Sequence, residues 1–272
     1  MAALSEHTKN LKKLNWYKIK VAKTAELRFI SHLDWQSLII KTFKRMGLKL
    51  ALSQGFSPAP KVSFSPALPL FIESECEIVY FETVEPLDET DFAANFAKNT
   101  SENVKLKEFL RLEGDKKPQP PETLVQWAKY EAKLYKSHSA LSPKNCPIPI
   151  FKNPLYNEAA PRCSSLAQKS KRSTLAFSRS FRYNIENCLL SDNLFIKKIN
   201  KKGFEKNIDY KNSVKNIEFD EKNEKIIFTL KAGQGLTVPA LRADDFLAAV
   251  FGKDVLFEIK RTQFFDEDLI EI

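Results

Sequence analysis

The sequence has few of the residues that hold metals or form disulfides. Its 272 residues include only four cysteines and three histidines, no two cysteines form a CxxC pair, and the histidines are widely separated. Such sparse cysteines argue against a disulfide scaffold. They also give no support for a zinc site or an iron–sulfur cluster, because both need clustered thiolate or imidazole ligands. We therefore expect the chain to bind no metal and no cofactor of its own.

Long apolar runs are also missing. No run approaches the roughly 20 residues that a membrane-spanning helix needs, and the first residues, MAALSEHTKNLKK, lack the continuous apolar core of a secretory signal. We therefore expect a soluble, cytoplasmic protein without a membrane partner. Large apolar residues are nevertheless abundant, since 43% of the chain is hydrophobic and 21 residues are phenylalanine. This composition allows a sizeable core.

The charge of the chain is positive and unevenly distributed. The formal net charge is +9 at pH 7 and the isoelectric point is about 9.2. Residues 9–61 contain twelve basic side chains and two acidic ones, whereas residues 73–91 contain eight acidic side chains and no basic one. A basic balance favours polyanionic partners such as RNA, and separated charges can steer a charged partner. A solvated surface without a partner is the alternative.

Alternating and helical patterns in residues 16–113 predict an α+β unit. Residues 16–22 (WYKIKVA) alternate apolar and basic side chains, which is typical of a half-buried strand. Ser31 has the position of a helix N-cap, an apolar stripe at helical spacing follows it, and Gly47 ends this pattern. Further strands are predicted at 48–52, 61–65, 76–83 and 104–112, with a short helix after Asp88. The order β-α-β-β-α-β is that of a ferredoxin-like (split β-α-β) unit.

The second half of the chain has a similar order of elements. Strands are predicted near Tyr130 and at 194–199, 214–219, 225–230 and 255–261, with helices at 180–190 and after Pro239. We predict a second ferredoxin-like unit in tandem with the first, formed by residues 128–136 and 176–265. The intervening residues 137–175 are rich in proline, serine and basic side chains. We predict that they form a disordered insertion, either a solvated linker or a segment whose KSKR end contacts a polyanion.

Four side chains with polar chemistry lie close together at the predicted start of the first helix. They are Arg28, Ser31, His32 and Asp34. The helix dipole disfavours a cationic histidine at this end, so a neutral, proton-accepting His32 is expected near pH 7. Together the four could bind an anion or move a proton. The structural alternative is that Ser31 and Asp34 cap the helix while His32 packs at its end.

The loop SQGFSPAPK is a second candidate binding segment. Its polar members, with the residues that follow, are Ser53, Gln54, Ser57, Lys61 and Ser63. Hydroxyl, amide and ammonium groups at this density suit hydrogen bonds to a polar ligand or to an RNA backbone. The alternative is a rigid connection that Pro58 and Pro60 fix.

Two features near the C-terminus carry less information. Gly233, Gln234 and Gly235 precede a predicted helix, but their spacing fits neither a Walker loop nor a dinucleotide fingerprint, so a turn is predicted. Further on, Arg261, Phe264 and Phe265 could stack on bases. The alternative is that both phenylalanines close the core of the second unit.

The residues LRFISHLDW and MGLKLALSQGFSPAPKVSFSPALPLFIESE resemble the signature of the radical SAM-linked protein family, a domain-of-unknown-function family. The later segments NIDY and LKAGQGLTVPALRADDFLAAVFG, leading to EIKRTQFF, are similar as well, so the resemblance covers about residues 16–265 without the insertion. Two positions depart from the family pattern. Phe71 stands where the family has glycine, and Val238 stands where a polar or basic residue is expected.

The resemblance implies a genetic and physical link to a radical SAM protein that also has a cobalamin-binding-like domain. It implies no reaction and no catalytic residues. Radical SAM enzymes need a CxxxCxxC triad to hold their [4Fe–4S] cluster, and this sequence contains none. The iron–sulfur cluster and SAM are therefore expected on the partner.

Three hypotheses for function follow. The first is an accessory or substrate-presenting protein that works with a radical SAM partner and is not catalytic alone. The second is an RNA-binding or RNA-processing module, which the basic charge and tandem ferredoxin-like units favour at the level of fold only. The third, a hydrolase, would need a nucleophile and base beyond His32 and Asp34, and the sequence shows no such pair.

Overall fold

The computed structural model describes residues 15–114, 117–134, 181–199, 203–233, 238–253 and 255–272. The predicted insertion at 137–175 lies outside these residues, as do Gln234 and Gly235. The described part is a mixed α+β structure, mostly sheet with few helices, which confirms the predicted fold class. None of its helices is long and apolar enough to cross a bilayer.

The chain divides into two compact units. Unit 1 contains the described residues of 15–128 together with 232–233 and 260–272. Unit 2 contains the described residues of 129–231 and 238–259. The last strand of the chain is thus shared, since its residues from 260 onward belong to unit 1.

Unit 1 is a sheet with helices that follow its first and third strands. Its elements in chain order are β1 (Asn15–Lys23), a short 3₁₀ helix (Ala25–Phe29), α1 (His32–Arg45), β2 (Val62–Phe64), β3 (Ile72–Thr83), α2 (Glu89–Asn99), β4 (Val104–Leu112) and the single turn α3 (Pro121–Leu124). β1 pairs antiparallel with both β3 and β4, and β2 pairs antiparallel with β3. The strand order is therefore β4-β1-β3-β2.

The strand predicted at 48–52 is reduced to isolated bridges. Leu50 pairs with Thr83, and Leu52 pairs with Pro60. The ladder does not extend further because Pro58 and Pro60 have no N–H groups to donate. This segment therefore joins α1 to β2 as an irregular connection.

α1 begins and ends where its sequence predicts. Its buried face contains Trp35, Ile39, Thr42 and Phe43, spaced as an amphipathic helix requires. Gly47 follows the helix with a φ of 76°, and the N–H of the next residue, Leu48, donates to Phe43 O over 3.1 Å. A left-handed residue at this position favours glycine because it has no Cβ.

Aromatic side chains fill the core between the helices and the sheet of unit 1. The ring centroids of Phe43 and Phe81 are 4.6 Å apart, and those of Phe92 and Phe109 are 4.4 Å apart. Tyr17 stacks against this group, and its hydroxyl accepts a 2.8 Å hydrogen bond from the backbone N–H of Leu87. The buried phenol is thus satisfied, as a buried polar group must be.

Unit 2 contains a set of paired strands with two helices and a separate two-stranded ribbon. Its elements are β5 (Trp127–Leu134), α4 (residues 181–190), β6 (Phe195–Ile199), β7 (Glu205–Asp209), β8 (Val214–Asp220), β9 (Lys225–Lys231), α5 (Ala243–Phe251) and the start of β10 (Phe257–Phe265). The strand order is β10-β5-β9-β8, and β6 pairs only with β7 among the described strands. β7 was not predicted, because EKNID contains a single apolar residue and so shows no alternation.

Candidate functional site

Ser31 and Asp34 form the cap of α1. The Ser31 hydroxyl oxygen accepts a hydrogen bond from the Asp34 N–H over 3.1 Å, and the same hydroxyl donates to Asp34 Oδ2 over 2.7 Å. Ser31 has extended backbone angles, as an N-cap residue should. Both side chains are thus engaged in the capping arrangement that the structural alternative predicted. His32, which lies between Ser31 and Asp34 in the sequence, takes no part in this cap.

His32 lies partly buried beside the aromatic ring of Phe64. The two ring centroids are 6.3 Å apart in an edge-to-face arrangement. His32 Nε2 is 3.0 Å from the amide nitrogen of Gln36, which can donate to it if the ring proton is on Nδ1. Nδ1 is itself buried and has no hydrogen-bond partner among the described residues. His32 therefore presents one unsatisfied ring nitrogen to the interior of unit 1.

A buried ion pair lies in the same part of unit 1. Arg261 of β10 and Glu77 of β3 are each 1% exposed, and Arg261 Nη2 donates to Glu77 Oε1. Arg261 also donates to the carbonyl oxygen of Pro66 over 3.2 Å. The second Glu77 oxygen accepts from the hydroxyl of Ser65 over 3.2 Å. The pair is thus extensively hydrogen-bonded, which a buried pair needs to offset its desolvation.

Lys23 is a second fully buried cation near this pair. It is 1% exposed, its Nζ donates to the carbonyl oxygen of Ile30 over 3.1 Å, and the ammonium lies 5.7 Å from the ring centre of Trp35. Among the described residues no carboxylate lies within ion-pair distance of Lys23. We refer to Lys23, His32, Glu77 and Arg261 as the buried polar cluster.

Burial and mutual charge lower the pKa values of two members of the cluster. The pKa of His32 lies below its ordinary value of 6.5, chiefly because burial disfavours the imidazolium; Arg261 and Lys23 lower it further, while Glu77 and Glu122 oppose the shift. Burial also lowers the pKa of Lys23, with Arg261 adding to the effect and Glu77 opposing it. The lowered pKa favours a neutral His32 at pH 7, and burial is its main cause.

The cysteines of the described residues are not activated. Cys76 and Cys188 are free thiols, and burial raises the pKa of Cys76 to about 12. Little thiolate exists at neutral pH for such a thiol, so Cys76 is a poor nucleophile. Within the described ranges, no three histidine, cysteine, aspartate or glutamate side chains are grouped in a way that could hold a metal ion.

Large apolar side chains are exposed next to the start of α1. Phe29 and Phe71 are 53% and 66% exposed, and their ring centroids are 5.8 Å apart. Leu33, in the first turn of α1, is 72% exposed, and Leu70, which precedes Phe71, is also exposed. Arg28 lies over the Phe29 ring at 5.0 Å and approaches Glu73 at 3.8 Å. We refer to Phe29, Leu33, Leu70 and Phe71 as the apolar patch.

The predicted loop residues lie at the other end of β3. Ser53 closes the loop, because its hydroxyl accepts from the Ala59 N–H over 3.0 Å, whereas Gln54 and Ser57 are exposed. Lys61 pairs with Glu82 over 2.7 Å. Ser63 lies opposite Tyr80, on the face of β2 away from Phe64. Since Glu82 and Glu77 are five residues apart on β3, the loop lies about 17 Å along the strand from the buried polar cluster.

The structure therefore does not bring the nine predicted residues into one site. It gathers Arg28, Ser31, His32 and Asp34 at the start of α1, whereas Ser53, Gln54, Ser57 and Lys61 form a separate surface. Ser63 lies between the two groups, because it precedes Phe64, whose ring contacts His32. Sequence reasoning missed Lys23 and Glu77 and considered Arg261 only as one of three residues that could stack on bases. The alternation of side chains along β1 and β3 could have identified both missed residues, because each lies on the side of its strand that faces the core.

Residues 16–239 match a bacterial protein family, and the match includes α1, the apolar patch and three of the four cluster residues. The chain belongs to the family described as uncharacterized protein conserved in bacteria (DUF2344). Arg261 lies beyond the part of the chain that matches the DUF2344 family. No curated protein matches the chain.

Proposed function

We propose that this protein is an accessory or substrate-presenting partner of a radical SAM enzyme that has a cobalamin-binding-like domain, and that it is not catalytic alone. The resemblance of residues 27–70 to the radical SAM-linked family supports this proposal. The sequence contains no CxxxCxxC triad, so the cluster and SAM are assigned to the partner polypeptide. A cytoplasmic location is part of the same proposal.

The observation that carries the proposal is the apolar patch. Phe29, Leu33, Leu70 and Phe71 all lie within or directly beside the segment that resembles the family signature. Exposed aromatic and aliphatic groups in one place are the usual anchors of a protein interface. Arg28 and Glu73 flank them and can supply the polar rim. A partner that recognises the signature segment would therefore meet these side chains.

We also propose that each unit is ferredoxin-like, so that the chain contains two split β-α-β units in tandem. In unit 1 the strand order β4-β1-β3-β2 supports this, since β3 lies between the two strands that α1 joins. In unit 2 the order β10-β5-β9-β8 supports the same plan if the β6–β7 ribbon is an insertion. The proposal concerns architecture and adds no activity.

Purification of the tagged full chain from the native bacterial lysate tests the functional proposal. We expect enrichment of a polypeptide that contains a CxxxCxxC triad and binds a [4Fe–4S] cluster, identified by peptide mass spectrometry and by its absorbance near 400 nm. A capture in which no radical SAM protein is enriched over an untagged control would contradict the proposal.

A second candidate function is RNA binding through the loop at 53–59. Phe56 at its tip is fully exposed, and the loop contains no acidic residue. An exposed aromatic ring among hydrogen-bonding side chains can stack on an unpaired base. We expect any binding of total tRNA to weaken steeply with salt and to weaken in Phe56→Ala. No binding at low salt would exclude this function.

A further inference from the structure

The buried polar cluster has an excess of positive charge. Its two basic side chains, Lys23 and Arg261, and its single carboxylate, Glu77, are each 1% exposed. Arg261 and Glu77 form the direct ion pair, so the charge that lacks a counter-ion among the described residues is that of Lys23. An uncompensated ammonium is costly in a protein interior, and natural structures pair such groups or use them to bind ligands. Stability alone therefore does not explain why this cluster keeps an excess of positive charge.

Unsatisfied donor capacity accompanies this charge. Lys23 Nζ can donate three hydrogen bonds, and the carbonyl oxygen of Ile30 accepts one of them. Nδ1 of His32 is buried without a partner among the described residues, and it is a donor when Gln36 donates to Nε2. Both groups lie at the start of α1, because Lys23 Nζ donates to the carbonyl oxygen of Ile30, two residues before His32, and lies 5.7 Å from the ring centre of Trp35, three residues after it. Lys23 and His32 thus offer several donors and a net positive charge in one place.

The surroundings favour an anion as the missing partner. Glu77 has its oxygens directed to Arg261 and Ser65. Glu122, the other carboxylate that influences His32, is exposed to solvent on α3. The start of α1 adds its partial positive charge to the same place. His32 is the partly exposed member of the cluster, so a group that enters from solvent meets it first.

We propose that Lys23 and His32 bind the anionic group of a small ligand, a carboxylate or a phosphate, beside the buried Glu77–Arg261 pair. In this arrangement Lys23 supplies the charge and His32 Nδ1 supplies a directed hydrogen bond. Glu77 is engaged by Arg261 and Ser65, and among the described residues no ion pair joins it to Lys23. This site does not depend on a radical SAM partner. A test of the site is therefore independent of a test of the proposed function.

Titration calorimetry of the purified full chain tests the site with two probes, inorganic phosphate and succinate, at pH 7. We expect saturable binding of at least one of them; phosphate alone would assign a phosphate ligand, and succinate alone a carboxylate ligand. Lys23→Met keeps the unbranched shape and most of the length of the side chain and should weaken binding about tenfold or more, since it removes a charged hydrogen bond. His32→Gln should also weaken binding. Lys18→Met, on the same strand but paired with Glu108, is the control and should leave binding unchanged.

Labelled histidine gives a second readout that does not depend on the variants. We expect the ¹⁵N resonances of the His32 ring to move with saturation of the probe, because Nδ1 gains an acceptor. The site would be rejected if neither probe binds, if Lys23→Met and His32→Gln bind as the native chain does, or if the His32 resonances remain fixed while the probe saturates. Circular dichroism of each variant establishes that the fold is retained.

Discussion

Replacing Glu77 by glutamine should destabilise unit 1 more than any comparable surface change. The substitution keeps the size of the side chain but leaves Arg261, 1% exposed, without its carboxylate partner and removes the negative charge that acts on the equally buried Lys23. Removing one partner of a buried ion pair typically costs about 3–5 kcal/mol, because the remaining charge is buried and uncompensated. Glutamine can still accept from Ser65, so we expect a loss of about 3 kcal/mol in the free energy of unfolding, at the lower end of that range.

Tryptophan fluorescence in urea can measure this loss. All three tryptophans, Trp16, Trp35 and Trp127, belong to unit 1, so their emission reports on that unit. The matched control is Glu75→Gln on the same strand, because Glu75 pairs with Lys260 over 3.1 Å while both side chains are about 40% exposed. An exposed pair contributes about 0–1 kcal/mol. The midpoint should therefore shift much further for Glu77→Gln than for the control.

A second variant separates charge from packing. Adding Arg261→Met to Glu77→Gln removes both members of the pair, and replacing both partners of a buried pair can be nearly neutral. We therefore expect the double variant to recover more than half of the stability that the single variant loses. The reasoning would be refuted if Glu77→Gln lowered stability no more than Glu75→Gln, or if the double variant were the sum of two large losses.

Three further predictions concern the start of α1 and its neighbours. Ser31→Ala should reduce stability by about 1 kcal/mol in urea unfolding, since it removes the N-cap, and an unchanged midpoint would contradict the cap. Phe71 has a φ of 68°, so Phe71→Gly should raise stability by about 0.5–1 kcal/mol; a clear loss would show that the ring stabilises the fold. The native chain should lose stability relative to His32→Gln as pH falls below 6.5, because the unfolded state protonates first; parallel pH profiles would contradict a buried neutral His32.

The local elements of unit 1 were predictable because their causes are local. Ser31 and Gly47 mark the ends of α1, and the stripe from Trp35 to Phe43 gives it one buried face. β1 shows its alternation in the sequence. β7 was missed because EKNID contains one apolar residue, so its strand conformation depends on pairing with β6 rather than on its own pattern.

The candidate site was only half predictable. His32 was found because it lies in a helix start with an unusual composition. Lys23 and Glu77 have the same parity as apolar core-facing residues of their strands, Val21 for Lys23 and Val79 for Glu77, and this parity indicates an inward side chain even when the residue is charged. Arg261 could not be connected to Glu77 from the sequence, because 184 residues separate them and no local pattern predicts that two distant strands lie in one unit.

Phe71 combines an exposed side chain with a backbone conformation that is unusual for a residue other than glycine. The resemblance noted in the sequence predicts glycine at this position, and the φ of 68° is a conformation that favours glycine. The phenylalanine contributes an exposed ring beside Phe29. A strained but exposed aromatic residue is more readily explained by recognition than by stability.

Capture of a radical SAM enzyme by the native chain and by a variant of the apolar patch tests the proposed role most directly. Leu33→Ser changes a 72% exposed residue of the patch, and Leu190→Ser changes an 81% exposed residue of unit 2 as the control. The account predicts that a protein with a CxxxCxxC triad co-purifies with the native chain and with Leu190→Ser, but is strongly reduced with Leu33→Ser. Equal capture by all three chains would contradict the patch, and no such protein with any of them would contradict the proposed function.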